Sequence, residues 1–357
     1  MDEQDGPDLQ DADADRAARR FGSELLEKAF LGEAAHLTRA EVEQTTTDFS
    51  PERIRRLWRA LGFVDPEPDE PRFTEADVAA VRLAARLASD ELIGGGVTES
   101  VARVVGQSMN RLAEAQTQIV SEQLANDPEL AALAESHPDD MVRLLSERFA
   151  HLLPELEWLI AFAWRRHMLA AVQRAVAGAA RELSSHAAAI GFCDIVGNTA
   201  AVRDMTTDEL TELVATFEEV ASDIVVRHDG RVVKTLGDEV MFMLTDPVAM
   251  AETGLELAEA FGNDRTNVPP VRVGLAYGPI VAHGGDIFGS VVNLASRCTG
   301  IARPGTVVCD RELAACLEEQ LADGGPAIAV SRLRTFRVRG YAHLTPYVIR
   351  RTAERHA

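Results

Sequence analysis

The chain has 357 residues, enough for two ordinary domains and a large core. Its 36 Lys and Arg against 57 Asp and Glu leave a formal charge of −21. That balance excludes general adhesion to nucleic acid or anionic lipid by the chain as a whole. Met1 to Ala18 are acidic and polar, without the apolar stretch of a secretory signal. No run of about 18 apolar residues is present, so no transmembrane helix is expected. The four cysteines, Cys193, Cys298, Cys309 and Cys316, form no C-x-x-C pair. They read as reduced, mostly buried thiols of a cytoplasmic protein.

Residues 1–18, rich in Asp, Gln and Gly, read as a disordered tail. From residue 19 to 154 the pattern is helical throughout. Thr38 with Glu41 and Thr74 with Asp77 are capping boxes, and Ser50-Pro51 sets a cap before a first-turn proline. Asp65-Pro-Glu-Pro-Asp-Glu-Pro71 is an extended linker between two helices. Pro154 is expected to open a new helix, a connector over 155–186. Its apolar positions Trp158, Leu159, Phe162, Met168, Leu169, Val172 and Val176 mix spacings of three and four. The Ala-rich stretch that ends it has the composition of a hinge.

After Ala187 strands and helices alternate. Ala188–Cys193 reads as a strand, and Thr206 with Glu209 caps a helix running to about His228. Arg231–Thr235 and Glu239–Leu244 form a hairpin around Gly237-Asp238. A helix over Pro247–Phe261, strands over Val271–Tyr277 and Ile280–His283, and a helix over Val291–Ile301 follow. A strand at Thr306–Cys309, a short helix, and strands near Ile328–Val338 and Pro346–Ile349 complete the pattern. The predicted fold is multidomain: an all-α regulatory domain, then an α/β domain over 187–352 with a ferredoxin-like βαββαβ core.

Within the second half one constellation carries chemistry. Asp194 ends the first strand and Asp238 lies in the hairpin turn. Two carboxylates at adjacent strand ends can share a pair of Mg²⁺ or Mn²⁺ ions, hard cations that keep open positions for phosphate. Such a pair suits in-line displacement at phosphorus. The loop Gly197-Asn198-Thr199 before a helix offers backbone N–H groups to phosphate oxygens. Lys234 offers a donor and Asp286 an acceptor, a pair that can read a purine. Asn293 and Arg297, four apart, share one helix face.

The segments Phe192-Cys-Asp-Ile-Val-Gly-Asn-Thr199, Val233-Lys-Thr-Leu-Gly-Asp-Glu-Val-Met-Phe242 and Gly285-Asp-Ile-Phe-Gly-Ser-Val-Val-Asn-Leu-Ala-Ser-Arg297 resemble the motifs of class III nucleotidyl cyclases. The resemblance implies an adenylate cyclase that turns ATP into cyclic AMP and pyrophosphate. It assigns metal binding to Asp194, Ile195 and Asp238, with two ions per site. It assigns adenine recognition to Lys234 and Asp286, ribose orientation to Asn293, and charge stabilisation on the α-phosphate to Arg297. Asn198 stands where the family usually has Phe. Arg339 aligns with a family lysine that contacts the triphosphate, and its fork keeps that charge. The family builds each site between two catalytic domains, so a homodimer with two sites is implied.

Residues 37–87 look like a MerR-type helix-turn-helix and also resemble the N-terminal regulatory domain of soluble actinobacterial cyclases, a mycobacterial pH-sensing enzyme among them. Arg53, Arg55, Arg56 and Arg59 cluster on one helix. Arg39 to Arg86 nevertheless holds 8 basic and 10 acidic residues, a balance that argues against DNA. The resemblance implies an inhibitory domain that releases the cyclase in acid, with His167 and His186 on the connector as titrating candidates. It also implies a possible fatty acid effector there. The alternative is a nucleotide sensor with an inactive cyclase fold and a MerR-like DNA-binding domain.

Overall fold

The computed structural model describes residues 22–45, 49–89, 95–180, 187–196, 205–263, 266–322, 326–338 and 340–352. It divides into two compact units, residues 1–182 and 183–357. The tail over 1–18, the end of the hinge with His186, the loop Gly197–Thr199 and Arg339 all lie outside the described residues. Among the described residues no helix is long and apolar enough to cross a membrane.

The first unit is helical: α1 (residues 22–31), α2 (Arg39–Thr45), α3 (Pro51–Ala60), α4 (Glu75–Ser89), α5 (Gly95–Asn126), α6 (Pro128–Ser136) and α7 (Pro138–Ala180). Its caps are local chemistry. The Thr38 N–H donates to Glu41 at 2.8 Å and Thr38 Oγ1 accepts from the Glu41 N–H at 3.3 Å. Thr74 and Asp77 repeat the reciprocal pair, and Ser50 Oγ accepts from the Arg53 N–H ahead of Pro51. Val42, Phe73 and Val78 pack together with Trp58 against them, so α2 to α4 share one small core. The arginines of α3 are engaged. Arg55 and Arg59 pair with Glu52, Arg56 pairs with Glu99, and Arg53 lies over the Phe49 ring.

Pro154 does not begin a helix; it sits inside α7. The residues before it, His151, Leu152 and Leu153, include no Ser, Thr, Asp or Asn to cap a new start and no Gly to stop the old one. Pro154 therefore removes one ladder bond, to the Ala150 carbonyl, from an otherwise continuous helix.

In the second unit β1 (Ala187–Ile195) leads to α8 (Thr207–Arg227), then the hairpin β2 (Arg231–Leu236) and β3 (Glu239–Leu244), α9 (Pro247–Ala260) and β4 (Val271–Pro279). A small hairpin, β5 (Val281–His283) and β6 (Asp286–Phe288), runs into α10 (Ser290–Ile301). After it come β7 (Thr306–Cys309), α11 (Arg311–Leu321), β8 (Ile328–Arg332), β9 (Phe336–Val338), β10 (Tyr341–Leu344) and β11 (Tyr347–Arg351). The seven-stranded sheet has order β2-β3-β1-β4-β7-β11-β8. Its first four strands are antiparallel throughout, while β4 and β7 are parallel. Order β4-β1-β3-β2 is the one a βαββαβ unit produces.

The sheet is covered on both faces, so β1 reads as a nearly continuous apolar run rather than an alternating one. Ala189, Cys193 and Ile195 face a core with Phe217 and Ile224 of α8, Met250 and Leu257 of α9, and Leu313 and Leu317 of α11. Ile190 and Phe192 face the other way, onto Val291 and Ala295 of α10. Gly274 sits under α10: a Cβ there would collide with the Thr299 amide nitrogen and the Ala295 carbonyl.

Candidate active site

Alternation along β1 puts Asp194 on the α10 face of the sheet, in line with Ile190 and Phe192. Cross-strand register completes a row: Asp194 lies opposite Glu239 of β3 on one side and Arg272 of β4 on the other. Asp194 is 9% exposed and accepts from the Arg272 guanidinium at 2.5 Å. Burial raises its pKa, and Arg272 draws it back. Burial, then Asp194, then Asp238 push Glu239 up to about 7. Asp238 follows Gly237, whose φ of +67° is the left-handed turn conformation that glycine adopts freely. The Ile195 N–H donates to the Asp238 carbonyl at 3.1 Å, which ties the end of β1 to the β2–β3 turn.

Among the described residues no three His, Cys, Asp or Glu side chains form a ready-made metal cage. The donor set still fits a divalent cation. Hard oxygen ligands gather where carboxylates crowd one another and Arg272 offsets the charge of Asp194 and Glu239, and Mg²⁺ normally completes its shell with water and phosphate.

A second group forms one level further along the sheet. Lys234 of β2 lies opposite Met241, beside Phe192 rather than Asp194. Its Nζ donates to Asp286 Oδ2 at 2.6 Å. Asp286 Oδ1 accepts from the Ile287 N–H at 2.8 Å, and Lys234 foremost holds its carboxyl below the ordinary carboxylate range. Both side chains are about a third exposed.

Asn293 and Arg297 lie on α10, a few residues after β6. That helix buries Val291, Ala295, Cys298 and Thr299. At about 100° per residue, Asn293 and Arg297 fall on the opposite side, turned away from their own sheet. The chain thus brings Asp194 to Asp238 and Lys234 to Asp286, and aims Asn293 and Arg297 elsewhere.

Two site residues escape sequence reasoning, Arg272 and Glu239. The signal for Arg272 was a charge between Val271 and Val273 in a strand: alternation sends it to the face those valines avoid.

The family model for the adenylate and guanylate cyclase catalytic domain matches residues 182–351. An adenylate cyclase of Streptomyces coelicolor is 38% identical over 315 residues, covering 88% of this chain and 79% of that protein. The chain belongs to the class III adenylyl cyclases. An adenylate cyclase of Streptomyces griseus gives 38% over 286 residues, 80% of this cyclase and 69% of its relative. A pH-sensitive adenylate cyclase of Mycobacterium tuberculosis gives 32% over 266 residues, 72% and 64% of the two chains. These matches are longer than the cyclase domain, so the likeness reaches into the helical unit.

Proposed function

We propose that this cyclase converts ATP to 3′,5′-cyclic AMP and pyrophosphate at two sites, each shared between two copies of the chain. The observation that carries the shared site is the aim of α10. Asn293 and Arg297 turn away from the sheet that bears Asp194 and Asp238 in the same chain, so a second copy has to supply them to those carboxylates.

In this reading Asp194, Asp238 and the Ile195 carbonyl hold the metal. The chemistry supplied by two bound Mg²⁺ or Mn²⁺ ions is a lowered pKa for the attacking hydroxyl and neutralisation of the leaving pyrophosphate. Arg272 keeps Asp194 ionised and oriented. Lys234 donates to adenine N1 and Asp286 accepts from the exocyclic amino group, which favours ATP over GTP. Asn293 holds the ribose so that its 3′-oxygen faces the α-phosphorus. Arg297 stabilises the charge that builds there as the new P–O bond forms and the bond to pyrophosphate breaks. Gly197, Asn198, Thr199 and Arg339 contribute phosphate contacts.

The helical unit is proposed to restrain the cyclase and to release it in acid. An apolar groove of about 190 Å³ lined by Ile119, Leu124, Leu130, Leu145 and Phe149, with Arg148 among its walls, fits a fatty acyl effector carrying a carboxylate. A DNA-binding role for residues 37–87 is disfavoured, because three of the four α3 arginines pair with glutamates and the fourth lies over a ring.

The test is cyclic AMP formation from ATP by the full chain with Mn²⁺, followed from acid to neutral pH, beside Asp194→Ala. Product from the wild type and none from the variant is expected. Equal rates, or no product from ATP at any pH, would overturn the reading.

A further inference from the structure

Beyond Pro154, α7 carries a stripe at alternating spacings of three and four: Glu155, Trp158, Phe162, Arg165, Leu169, Val172 and Val176. This is the period of a coiled-coil seam. The apolar members are 48% to 67% exposed, and Glu155 and Arg165 are exposed as well. Trp158 and Phe162 stack with ring centroids 5.4 Å apart and planes within 6°.

The first four members of the stripe are symmetric about residue 160. Glu155 and Arg165 are equidistant from that point, and so are Trp158 and Phe162. Reversing the helix therefore sets an acid against a base and a ring against a ring. We propose that this stripe is an interaction surface for a second copy of the chain. In it two α7 helices cross antiparallel on a two-fold axis near Ile160. Glu155 meets the partner's Arg165, and the Trp158–Phe162 stack continues through the partner's Phe162 and the partner's Trp158. A two-fold contact needs self-complementarity of this kind. A parallel pair would place Glu155 against the partner's Glu155 and Arg165 against the partner's Arg165, and like charges across a seam oppose it.

The contact is independent of the catalytic reading, and its readout is covalent rather than enzymatic. The full-length double variant Glu155→Cys/Arg165→Cys, oxidised with copper phenanthroline, should give disulfide-linked dimers, whereas each single variant should give few. Within one chain the two thiols would stand about 15 Å apart along the helix, too far to bridge. Three of the native cysteines are buried, and the wild type controls for the fourth. Dimers from the single variants at equal yield would mean a parallel pair, and no dimers from any variant would mean that another surface, such as the chain's own catalytic unit, covers the stripe. Either result overturns the proposal. As a second arm, Glu155→Arg should weaken dimers of the full chain and Glu155→Arg/Arg165→Glu should restore them; a double variant no better than the single one also overturns it.

Discussion

At the scale of single residues, two positions outside the substrate contacts govern the cyclase unit. Gly274 lets α10 lie directly on β4. Gly274→Ala places a methyl group against the Thr299 amide and the Ala295 carbonyl, both backbone and unable to swing aside. The variant is expected to lose about 1–3 kcal/mol of stability through overpacking. Its turnover should fall further than that loss explains, because the helix that aims Asn293 and Arg297 has to shift; denaturant unfolding and kcat measured together separate the two effects. Asp310 is 1% exposed. Its Oδ1 accepts from the Leu313 and Tyr277 N–H groups, while Oδ2 is buried without a hydrogen bond. Burial first, with Glu312 nearby, raises its carboxyl from 3.8 to about 7. A carboxyl raised on folding binds a proton more tightly in the native state, so its contribution is greatest below about pH 4 and is lost as pH rises through about 7. Asp310→Asn, which does not titrate, should remove that slope. Unfolding free energies of both proteins at mildly acid and mildly alkaline pH measure it.

At the scale of elements, Pro154 is the informative position. It lies within α7 with no cap before it, so the helix continues and loses one ladder bond. Pro154→Ala should restore that bond and raise the stability of the helical unit, by up to about 3 kcal/mol; an unchanged denaturant midpoint would count against this view. The same contrast explains what the sequence made legible. Caps and turns are signals within four residues, which is why Thr38, Ser50, Thr74 and Thr206 mark observed helix starts. The order of strands and helices was legible too, since the period changes from one to the other. Register was not. The pairing of Asp194 with Arg272 spans 78 residues and that of Lys234 with Asp286 spans 52. Nothing local to either partner encodes these pairings; they follow from how strands align once the two faces of the sheet have been buried.

At the scale of the whole molecule, the proposed division of labour between copies makes a sharp prediction. A chain with Asp194→Ala keeps Asn293 and Arg297, and a chain with Arg297→Ala keeps the carboxylates. Each alone is expected to be inactive. Mixed and allowed to exchange, they should recover part of the wild-type rate, because one site in each mixed pair draws intact residues from both copies. A mixture as silent as its components would show that each site is built within one chain. The acidic surface of the chain bears on assembly as well: with a charge of −21, two copies repel at long range, so association should strengthen as salt screens that repulsion.

The 2.6 Å contact between Lys234 and Asp286 has a consequence for substrate capture. Under the proposed reading each of these groups must let go of the other before it can hold the base, so the resting pocket is occupied by its own rival. The rivalry is mild. A pair one-third exposed contributes on the order of 1 kcal/mol or less, about a fivefold discount in affinity at most. What it provides is a threshold: a nucleobase that satisfies only one member of the pair leaves the other stranded and gains little over the resting contact, whereas adenine satisfies both at once.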